Sequence, residues 1–179
     1  MYAIIDIETT GNTYKSGKIT EIAIFVHDGF RIVDSFSSLI NPECYIPDYI
    51  TRLTGIDNNM VKSAPRFYEV ARKVVEMTAE AVFVAHNVNF DYKFIQEEFS
   101  RLGYDYQRKT MCTVRMGRKY LPGHRSYSLG KLCDELGISI NGRHRAAGDA
   151  LATVKLFEMI MDRKALKETK QDPSQLRLF

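Results

Sequence analysis

Hydrophobic residues at the start of the chain follow the pattern of a buried β-strand, but two acidic residues interrupt it. Residues 2–11 read Tyr-Ala-Ile-Ile-Asp-Ile-Glu-Thr-Thr-Gly, and apolar β-branched runs of this kind are typical of buried strands. Side chains alternate along a strand, so Asp6 and Glu8 are predicted to share one face. Adjacent like charges are costly there unless a cation compensates them. The pattern predicts a metal site, and exposed carboxylates on an edge strand are the alternative.

The rest of the pattern predicts an antiparallel meander followed by alternating helices and strands. The predicted elements are strands at 19–26, 30–40, 81–85 and 111–114, and helices at 67–77, 91–102, 115–120, 128–136 and from 146 past 161. Short helical turns are predicted between 45 and 65, with inward-facing residues Ile46, Ile50, Leu53 and Ile56. This order of elements indicates one α/β domain with a mixed sheet, which we place at residues 1–163.

Composition narrows the class of protein. The chain has 179 residues, of which 45% are hydrophobic, and this is enough for one domain with a substantial core. No apolar run reaches the ~20 residues that span a membrane, and the start of the chain does not resemble a signal peptide, so a cytoplasmic location is expected. Cys44, Cys112 and Cys133 lack metal-binding spacing and are predicted to be reduced. A net charge of +3 does not by itself indicate a nucleic-acid partner.

Two further carboxylates occupy positions that suit the same site. Asp91 follows the predicted strand at 81–85, at the sheet edge where α/β proteins bind ligands, although a helix N-cap is an equal alternative for this residue alone. Asp149 is the sole charge on a stripe of residues spaced three and four apart on the last helix, namely Ala152, Thr153, Leu156, Phe157 and Ile160. A buried carboxylate without a partner is costly, so Asp149 is predicted to bind a metal.

His144 lies five residues before Asp149. On one continuous helix this separation would put the two side chains about 140° apart, so we expect His144 in the loop or first turn before the helix. Four carboxylates and a histidine suit phosphodiester hydrolysis, in which two divalent cations about 4 Å apart activate water and stabilise the leaving oxygen. Carboxylate oxygens favour Mg²⁺ or Mn²⁺ over zinc. A neutral histidine can accept the proton of the water.

Three segments together resemble the motifs of the DnaQ-like 3′–5′ exonucleases of the DEDDh group. Residues 6–11 (Asp-Ile-Glu-Thr-Thr-Gly) are similar to the first motif, 86–91 (His-Asn-Val-Asn-Phe-Asp) to the second and 144–150 (His-Arg-Ala-Ala-Gly-Asp-Ala) to the third. The resemblance covers about residues 2–161 and extends to the proofreading epsilon-subunit family of DNA polymerase III. It implies a ribonuclease H-like fold and a metal-dependent exonuclease that releases nucleoside monophosphates from DNA 3′ ends in replication proofreading or repair.

The resemblance also implies a role for each acidic residue and for the histidine. Asp6 would bridge two divalent cations, Mg²⁺ or Mn²⁺, while Glu8 and Asp149 would complete the shell of the catalytic ion. Asp91 would act on the second ion through water, and His144 would be the general base.

Substrate contacts follow from the same resemblance. Backbone N–H groups around Thr9 and Thr10 would hold the terminal nucleotide, and Leu53 or Ile56 would stack against its base. Single-stranded DNA is the favoured substrate, but an RNA-trimming or oligoribonuclease-type exoribonuclease would use the same five catalytic residues and differ in its treatment of the 2′-hydroxyl. A non-catalytic adaptor that docks on a clamp or a DNA polymerase subunit is the alternative from another class.

Residues 164–179 are polar and charged and are predicted to form a mobile tail. Its last five residues, Gln-Leu-Arg-Leu-Phe, are similar to the peptides by which bacterial replication and repair proteins bind the sliding clamp. The residues predicted to contact the clamp are Gln175, Leu176, Leu178 and Phe179. So short a pattern also arises by chance, and a tail that binds no partner or folds onto its own domain is the alternative.

Overall fold

A five-stranded mixed β-sheet forms the centre of the fold in the computed structural model, which describes residues 1–171 and side chains as far as Thr169. The strands are β1 (Tyr2–Thr9), β2 (Ile19–His27), β3 (Ile32–Leu39), β4 (Val82–Ala85) and β5 (Thr110–Cys112). Their spatial order is β3-β2-β1-β4-β5. β1, β2 and β3 pair antiparallel with one another, whereas β4 is parallel to β1 and β5 is parallel to β4. The predicted meander and mixed sheet are confirmed.

Helices flank this sheet. They are α1 (Asp48–Thr54), α2 (Asn58–Val61), α3 (Phe67–Thr78), α4 (Asn89–Arg101), α5 (Thr113–Tyr120), α6 (Leu129–Glu135) and α7 (Ala146–Gln171). The last helix continues to Gln171, so the first part of the segment predicted to be a mobile tail is helical. The rest of that segment, with the clamp-like peptide at 175–179, lies outside the described residues. Within the described part of the chain, no helix has the length and apolar character needed to cross a membrane.

The central strand β1 is covered on both faces. Ile5 and Ile7 belong to the large core that includes residues of α3 and α4. Ile4 points the other way and packs with Phe157 of α7. Because side chains alternate along a strand, Asp6 and Glu8 lie on the same face as Ile4, the face that α7 covers. The packing of α7 therefore decides which side chains lie next to these two carboxylates.

Leu53 differs from its predicted inward orientation. It is 53% exposed, while Ile50 and Thr54 are the buried residues of α1. Thr54 occupies the inner position one turn after Ile50, and its hydroxyl is satisfied because it donates to Ile50 O at 3.0 Å. The two-turn helix α1 therefore buries a threonine and leaves the leucine at the surface, and the prediction for Leu53 is wrong.

The three cysteines, Cys44, Cys112 and Cys133, form no disulfide. Two of them are buried and the third is exposed. Free thiols agree with the sequence-based prediction.

Candidate active site

Three carboxylates meet where the first turn of α7 packs over β1. Asp6 and Glu8 come from β1, and Asp149 comes from the first turn of α7. One carboxylate oxygen from each residue lies within 4.8 Å of those from the other two. Residues distant in the sequence are brought together because α7 packs on the Ile4 face of β1. This cluster contains three of the four acids that the sequence singled out.

Asp91 approaches the cluster from the opposite layer of the fold. It lies in the first turn of α4, whose N-cap is Val88 rather than Asp91. The Asp91 side chain is buried, with 4% of its surface exposed, and its charge raises the pKa of Asp6 after the larger effect of burial. It lies outside the group of three whose oxygens approach within 4.8 Å. Asp91 therefore lies beside the cluster, and the helix N-cap alternative does not hold.

Burial is the main cause that raises the pKa of all four carboxyl groups. The pKa of Glu8 rises to about 7 and that of Asp91 to about 8, while those of Asp6 and Asp149 also rise above their ordinary values. For Asp6 the negative charges of four acidic neighbours, Asp91, Asp149, Glu8 and Glu21, add to the effect of burial. A bound cation would reverse this balance because it favours the ionised form of every carboxyl group around it.

One oxygen of Asp149 gives separate support for a cation. Asp149 Oδ2 accepts the backbone N–H of His144 at 3.1 Å. Asp149 Oδ1 is buried and has no hydrogen-bond partner among the described residues. A buried carboxylate oxygen without a partner is costly, and a hard divalent cation would satisfy it. The site residues therefore fit Mg²⁺ or Mn²⁺, which prefer oxygen ligands.

His144 lies in the loop immediately before α7, as predicted. Its backbone has a φ of 60°, a left-handed conformation that residues other than glycine adopt infrequently. The side chain is partly exposed. The charge of His144 lowers the pKa of Asp149, against the larger opposing effect of burial. The imidazole thus lies near the carboxylates and remains open to solvent.

Gly148 allows the loop before α7 to lie against the helix. A Cβ atom at this position would collide with the carbonyl oxygens of Asn141 and Gly142. Backbone oxygens cannot move aside as the end of a flexible side chain can, so only glycine permits this close approach. The course of the loop that carries His144 therefore depends on Gly148.

Residues 3–157 match a protein-family model described as exonuclease. The chain belongs to the exonuclease family. It is 35% identical over 163 residues to the 3′–5′ exonuclease DinG of Staphylococcus aureus strain NCTC 8325, covering 90% of this chain and 18% of that protein. It is 36% identical over 162 residues to the PolC-type DNA polymerase III of Caldanaerobacter subterraneus, covering 90% of this chain and 12% of that protein. The chain spans less than a fifth of the length of these two relatives.

Solved exonuclease structures share the fold. Exonuclease X in complex with 5′-overhanging duplex DNA is 28% identical and superimposes with a TM-score of 0.74, covering 90% of this chain and 92% of that chain. Exonuclease I from E. coli in complex with a dT13 oligonucleotide is 17% identical with a TM-score of 0.81, covering 94% of this chain and 42% of that chain. The second likeness shows the fold alone. The predicted ribonuclease H-like, DnaQ-like fold is confirmed.

His86, the first residue of the second motif (residues 86–91), connects that motif to neighbouring elements by hydrogen bonds. His86 Nε2 lies 2.8 Å from Tyr127 O, and Nδ1 lies 3.0 Å from Thr113 Oγ1. A carbonyl oxygen only accepts, so Nε2 carries the proton and Nδ1 accepts from the threonine hydroxyl. Burial lowers the pKa of His86. His86 therefore joins the end of β4 to α5 and to the segment before α6, and it does not reach the carboxylates through either nitrogen.

The residues predicted to hold substrate occupy different environments. Thr9 and Thr10 are buried at the end of β1, and the Thr10 N–H donates to Lys18 O at 2.9 Å. That N–H group is therefore not available to a nucleotide. Ile56 has no exposed surface, whereas Leu53 is 53% exposed. Of the two residues predicted to stack on the base, only Leu53 has surface to offer.

Tyr49, which the sequence reasoning did not single out, lies beside the end of the first motif. Its side chain is 55% exposed on α1. Its hydroxyl would be 3.6 Å from a Cβ atom at Gly11, the residue that ends the first motif. No local pattern distinguishes this tyrosine from others at the surface.

Sequence reasoning also passed over Glu21, a buried glutamate in β2 that lies opposite Glu8 in the strand register. The Arg145 guanidinium donates to both of its carboxylate oxygens, from Nε at 3.0 Å and from Nη2 at 2.7 Å. A signal was present, since Glu21 interrupts an apolar strand as Asp6 and Glu8 do.

Proposed function

We propose that this chain is a metal-dependent 3′–5′ exonuclease that hydrolyses DNA from the 3′ end and releases nucleoside monophosphates, acting in the cytoplasm in replication proofreading or repair. The observation that carries the proposal is the convergence of Asp6, Glu8 and Asp149, with one buried oxygen of Asp149 left without a partner, beside His144. Metal-dependent hydrolysis uses such an arrangement, whereas an adaptor gains nothing from a cluster of partly buried acids.

The carboxylates would hold two divalent cations, Mg²⁺ or Mn²⁺. Asp6 would bridge them, Glu8 and Asp149 would complete the shell of the catalytic ion, and Asp91 would serve the second ion through water. The bound cations would activate the attacking water and stabilise the leaving oxygen.

His144 would accept the proton of the attacking water. Its backbone N–H bond to Asp149 holds it beside the carboxylates, and its partly exposed ring can pass the proton on to solvent. This placement gives the imidazole access to both the reacting water and the bulk.

The terminal nucleotide would lie against α1 and the turn after β1. The exposed side chains of Tyr49 and Leu53 would contact its base. Thr9 and Thr10 would contribute by shaping the turn, since the Thr9 hydroxyl donates to Gly11 O at 2.8 Å and the Thr10 hydroxyl accepts from Lys18 N at 3.0 Å. Backbone contacts to the nucleotide would come from Thr9 and the turn rather than from the Thr10 N–H, which donates to Lys18 O.

DNA is favoured over RNA as the substrate class. Exonuclease X was solved with duplex DNA that has a 5′ overhang, and the PolC-type relative is a DNA polymerase. Both support a role for this chain at DNA ends, with single-stranded 3′ ends as the proposed substrate.

The test uses single-stranded DNA and RNA of one sequence, labelled at the 5′ end and incubated with the full chain in Mn²⁺ or in EDTA. We expect a ladder of DNA products shortened from the 3′ end in Mn²⁺ and none in EDTA. An Asp149→Asn preparation, purified identically, controls for contaminating nucleases. Activity that survives chelation contradicts the metal mechanism, and faster shortening of RNA contradicts the assignment of DNA.

We also propose a clamp contact through Gln175, Leu176, Leu178 and Phe179, which lie outside the described residues, and association with a DNA polymerase subunit. The PolC-type relative supports the link to replication. A chain truncated after residue 174 should lose binding to a bacterial sliding clamp in a pull-down and keep its activity on free single strands. Absence of clamp binding by the full chain contradicts the proposal.

A further inference from the structure

Glu21 is a buried glutamate whose carboxylate is fixed by hydrogen bonds from residues at or just before the start of α7. It is 4% exposed and accepts three hydrogen bonds. Arg145 Nη2 donates to Oε1 at 2.7 Å, Arg145 Nε donates to Oε2 at 3.0 Å, and the Ala146 N–H donates to Oε2 at 2.8 Å. Its strand β2 pairs with a neighbour on each side. Glu21 is therefore a fixed point in the middle of the sheet.

The two residues that donate hydrogen bonds to Glu21 follow His144 directly in the chain. Arg145 and Ala146 are the next two residues, and both donate to Glu21. On the other side, the His144 N–H donates to Asp149 Oδ2. The backbone is thus tied down at His144 itself and at the two residues after it.

These contacts hold His144 in an uncommon backbone conformation. Its φ of 60° lies in the left-handed region, which residues other than glycine adopt infrequently. Such conformations persist where the surrounding structure holds them. The Glu21–Arg145 contact reaches across 124 positions of the chain and supplies that hold from a different layer of the fold.

We propose that the Glu21–Arg145 ion pair positions His144 for proton transfer, so that both are positioning residues of the reaction. This inference rests on the proposed function, since it assigns His144 a place in hydrolysis. None of these contacts uses the imidazole ring: they involve the His144 backbone N–H, the Arg145 side chain and the Ala146 N–H. The ion pair thus fixes the backbone position of His144 without occupying either ring nitrogen.

Glu98 provides a matched control. It is also a buried glutamate, 5% exposed, that pairs with an arginine, Arg101 Nη1 at 3.1 Å, and accepts a backbone N–H, that of Ile19 at 3.4 Å. The same chemistry here ties α4 to the start of β2. Its loss should weaken the fold without releasing His144.

The experiment compares Glu21→Gln with Glu98→Gln on single-stranded DNA at saturating Mn²⁺. For Glu21→Gln we expect kcat to fall by about 10- to 100-fold, as for other residues that orient a catalytic group. KM for DNA should stay unchanged. The negative charge of Glu21 acts on Asp6 and Glu8, so the Mn²⁺ dissociation constant, measured by calorimetry without DNA, should rise, but by a much smaller factor than kcat falls. Glu98→Gln should keep kcat. The Arg145 side chain is 39% exposed, so its charge remains hydrated in Glu21→Gln and the variant should fold.

Conservative replacement at the partner position separates positioning from bulk stability. Arg145→Lys keeps a charge that reaches Glu21 and should retain more kcat than Arg145→Met. Combining Arg145→Met with Glu21→Gln should cost little more than either change alone, because each single change already breaks the pair. Additive losses, or a fall in Mn²⁺ affinity as large as the fall in kcat, overturn the proposal.

A readout independent of activity distinguishes this proposal from the proposed function. The chain contains four histidines, so protein labelled with ¹⁵N-histidine gives few backbone amide signals. The His144 signal should shift or broaden in Glu21→Gln and stay in place in Glu98→Gln. If the wild-type chain hydrolyses nothing, the proposed function fails while this signal still tests the positioning. An unmoved His144 signal in Glu21→Gln overturns it.

Discussion

Two groups of buried acids in this protein have opposite surroundings. The anchored glutamates, Glu21 and Glu98, each face an arginine and a backbone N–H group. The clustered carboxylates face one another, and their members are Asp6, Glu8, Asp91 and Asp149. Glu21, Glu98 and Asp91 are buried, whereas Asp6, Glu8 and Asp149 are partly buried. The difference lies in the partner that the fold supplies.

The difference in partners separates acids that stabilise the fold from acids that suit a ligand-binding site. A buried charge is tolerated when a cation and hydrogen bonds compensate it. The anchored glutamates receive this compensation from the chain itself. The clustered carboxylates receive less of it. The His144 N–H donates to Asp149 and the charge of Arg145 acts on Glu8, yet burial still raises the pKa of every member. The missing compensation is what a divalent cation would supply.

The largest expected effect comes from neutralising a clustered carboxylate. Asp149→Asn should lower the rate of DNA hydrolysis by at least about 10³-fold, or about 4 kcal/mol of transition-state stabilisation, because a cation ligand is lost. In EDTA at pH 8 the same variant should be more stable than the wild type, since one of the mutually repelling negative charges of the cluster is gone. Steady-state kinetics and urea unfolding check the two halves. A variant that is both inactive and less stable contradicts this account of the cluster.

Neutralising an anchored glutamate should change stability in the opposite direction. Glu98→Gln removes the charge that Arg101 and Lys18 face, and we expect the free energy of unfolding to fall by about 2–3 kcal/mol, the size of a hydrogen bond to a charged group. Urea unfolding in EDTA, beside Asp149→Asn, measures the change. If both variants changed the free energy of unfolding in the same direction, the distinction between the two groups of acids would be contradicted.

The pH dependence of stability without metal should come from the clustered carboxylates. The pKa values of Glu8, about 7, and Asp91, about 8, lie above the ordinary 4.5 and 3.8, so the folded state binds more protons than the unfolded state between these limits. Stability is therefore highest at low pH in this window and falls as pH rises through about 7 and 8. We expect a loss of at least about 3 kcal/mol between pH 5 and pH 8 in EDTA, because each pH unit over which a group is protonated only in the folded state is worth about 1.4 kcal/mol.

Metal should remove this loss. Mg²⁺ or Mn²⁺ at about 100 times its dissociation constant adds about 2.7 kcal/mol to the free energy of unfolding, and the gain should be larger at pH 8 than at pH 5 because protons compete with the cation. Thermal unfolding at both pH values, with and without metal, measures it. A gain that is larger at pH 5 contradicts cation binding at ionised carboxylates.

The smallest effect is expected at the surface. Arg72 and Glu76 form an ion pair one helical turn apart, with side chains 91% and 54% exposed. Water screens such pairs, so Arg72→Gln should leave the melting temperature and the activity without measurable change. A loss comparable to that of Glu98→Gln would mean that burial does not govern the value of these pairs.

Much of the sheet and part of the site followed from local sequence pattern. The alternation around β1 placed Asp6 and Glu8 on one face, and the stripe on the last helix placed Asp149 toward the core. The loop position of His144 followed from its spacing to Asp149. Each of these inferences needs only the periodicity of one strand or helix, which neighbouring residues fully express.

The exposed face of α1 did not follow from local pattern. The sequence predicted both Leu53 and Ile56 to face inward and offered either as the residue that stacks on a base. Ile56 is fully buried as expected, whereas Leu53 is 53% exposed. A helix of two turns is too short to show a clear apolar stripe. Its orientation was decided by packing against Leu39 and the other members of that small cluster.

By itself, the sequence determined that acids interrupt buried elements, because a charge in an apolar pattern is visible locally. Only the tertiary structure decided which of these acids find a cation within the chain. Glu21 and Glu8 interrupt adjacent strands in the same way. The packing of α7 brings Arg145, the residue before this helix, to Glu21 across 124 positions, and brings Asp149 to Glu8. Contacts of this range depend on how whole elements pack, and no window of neighbouring residues contains them.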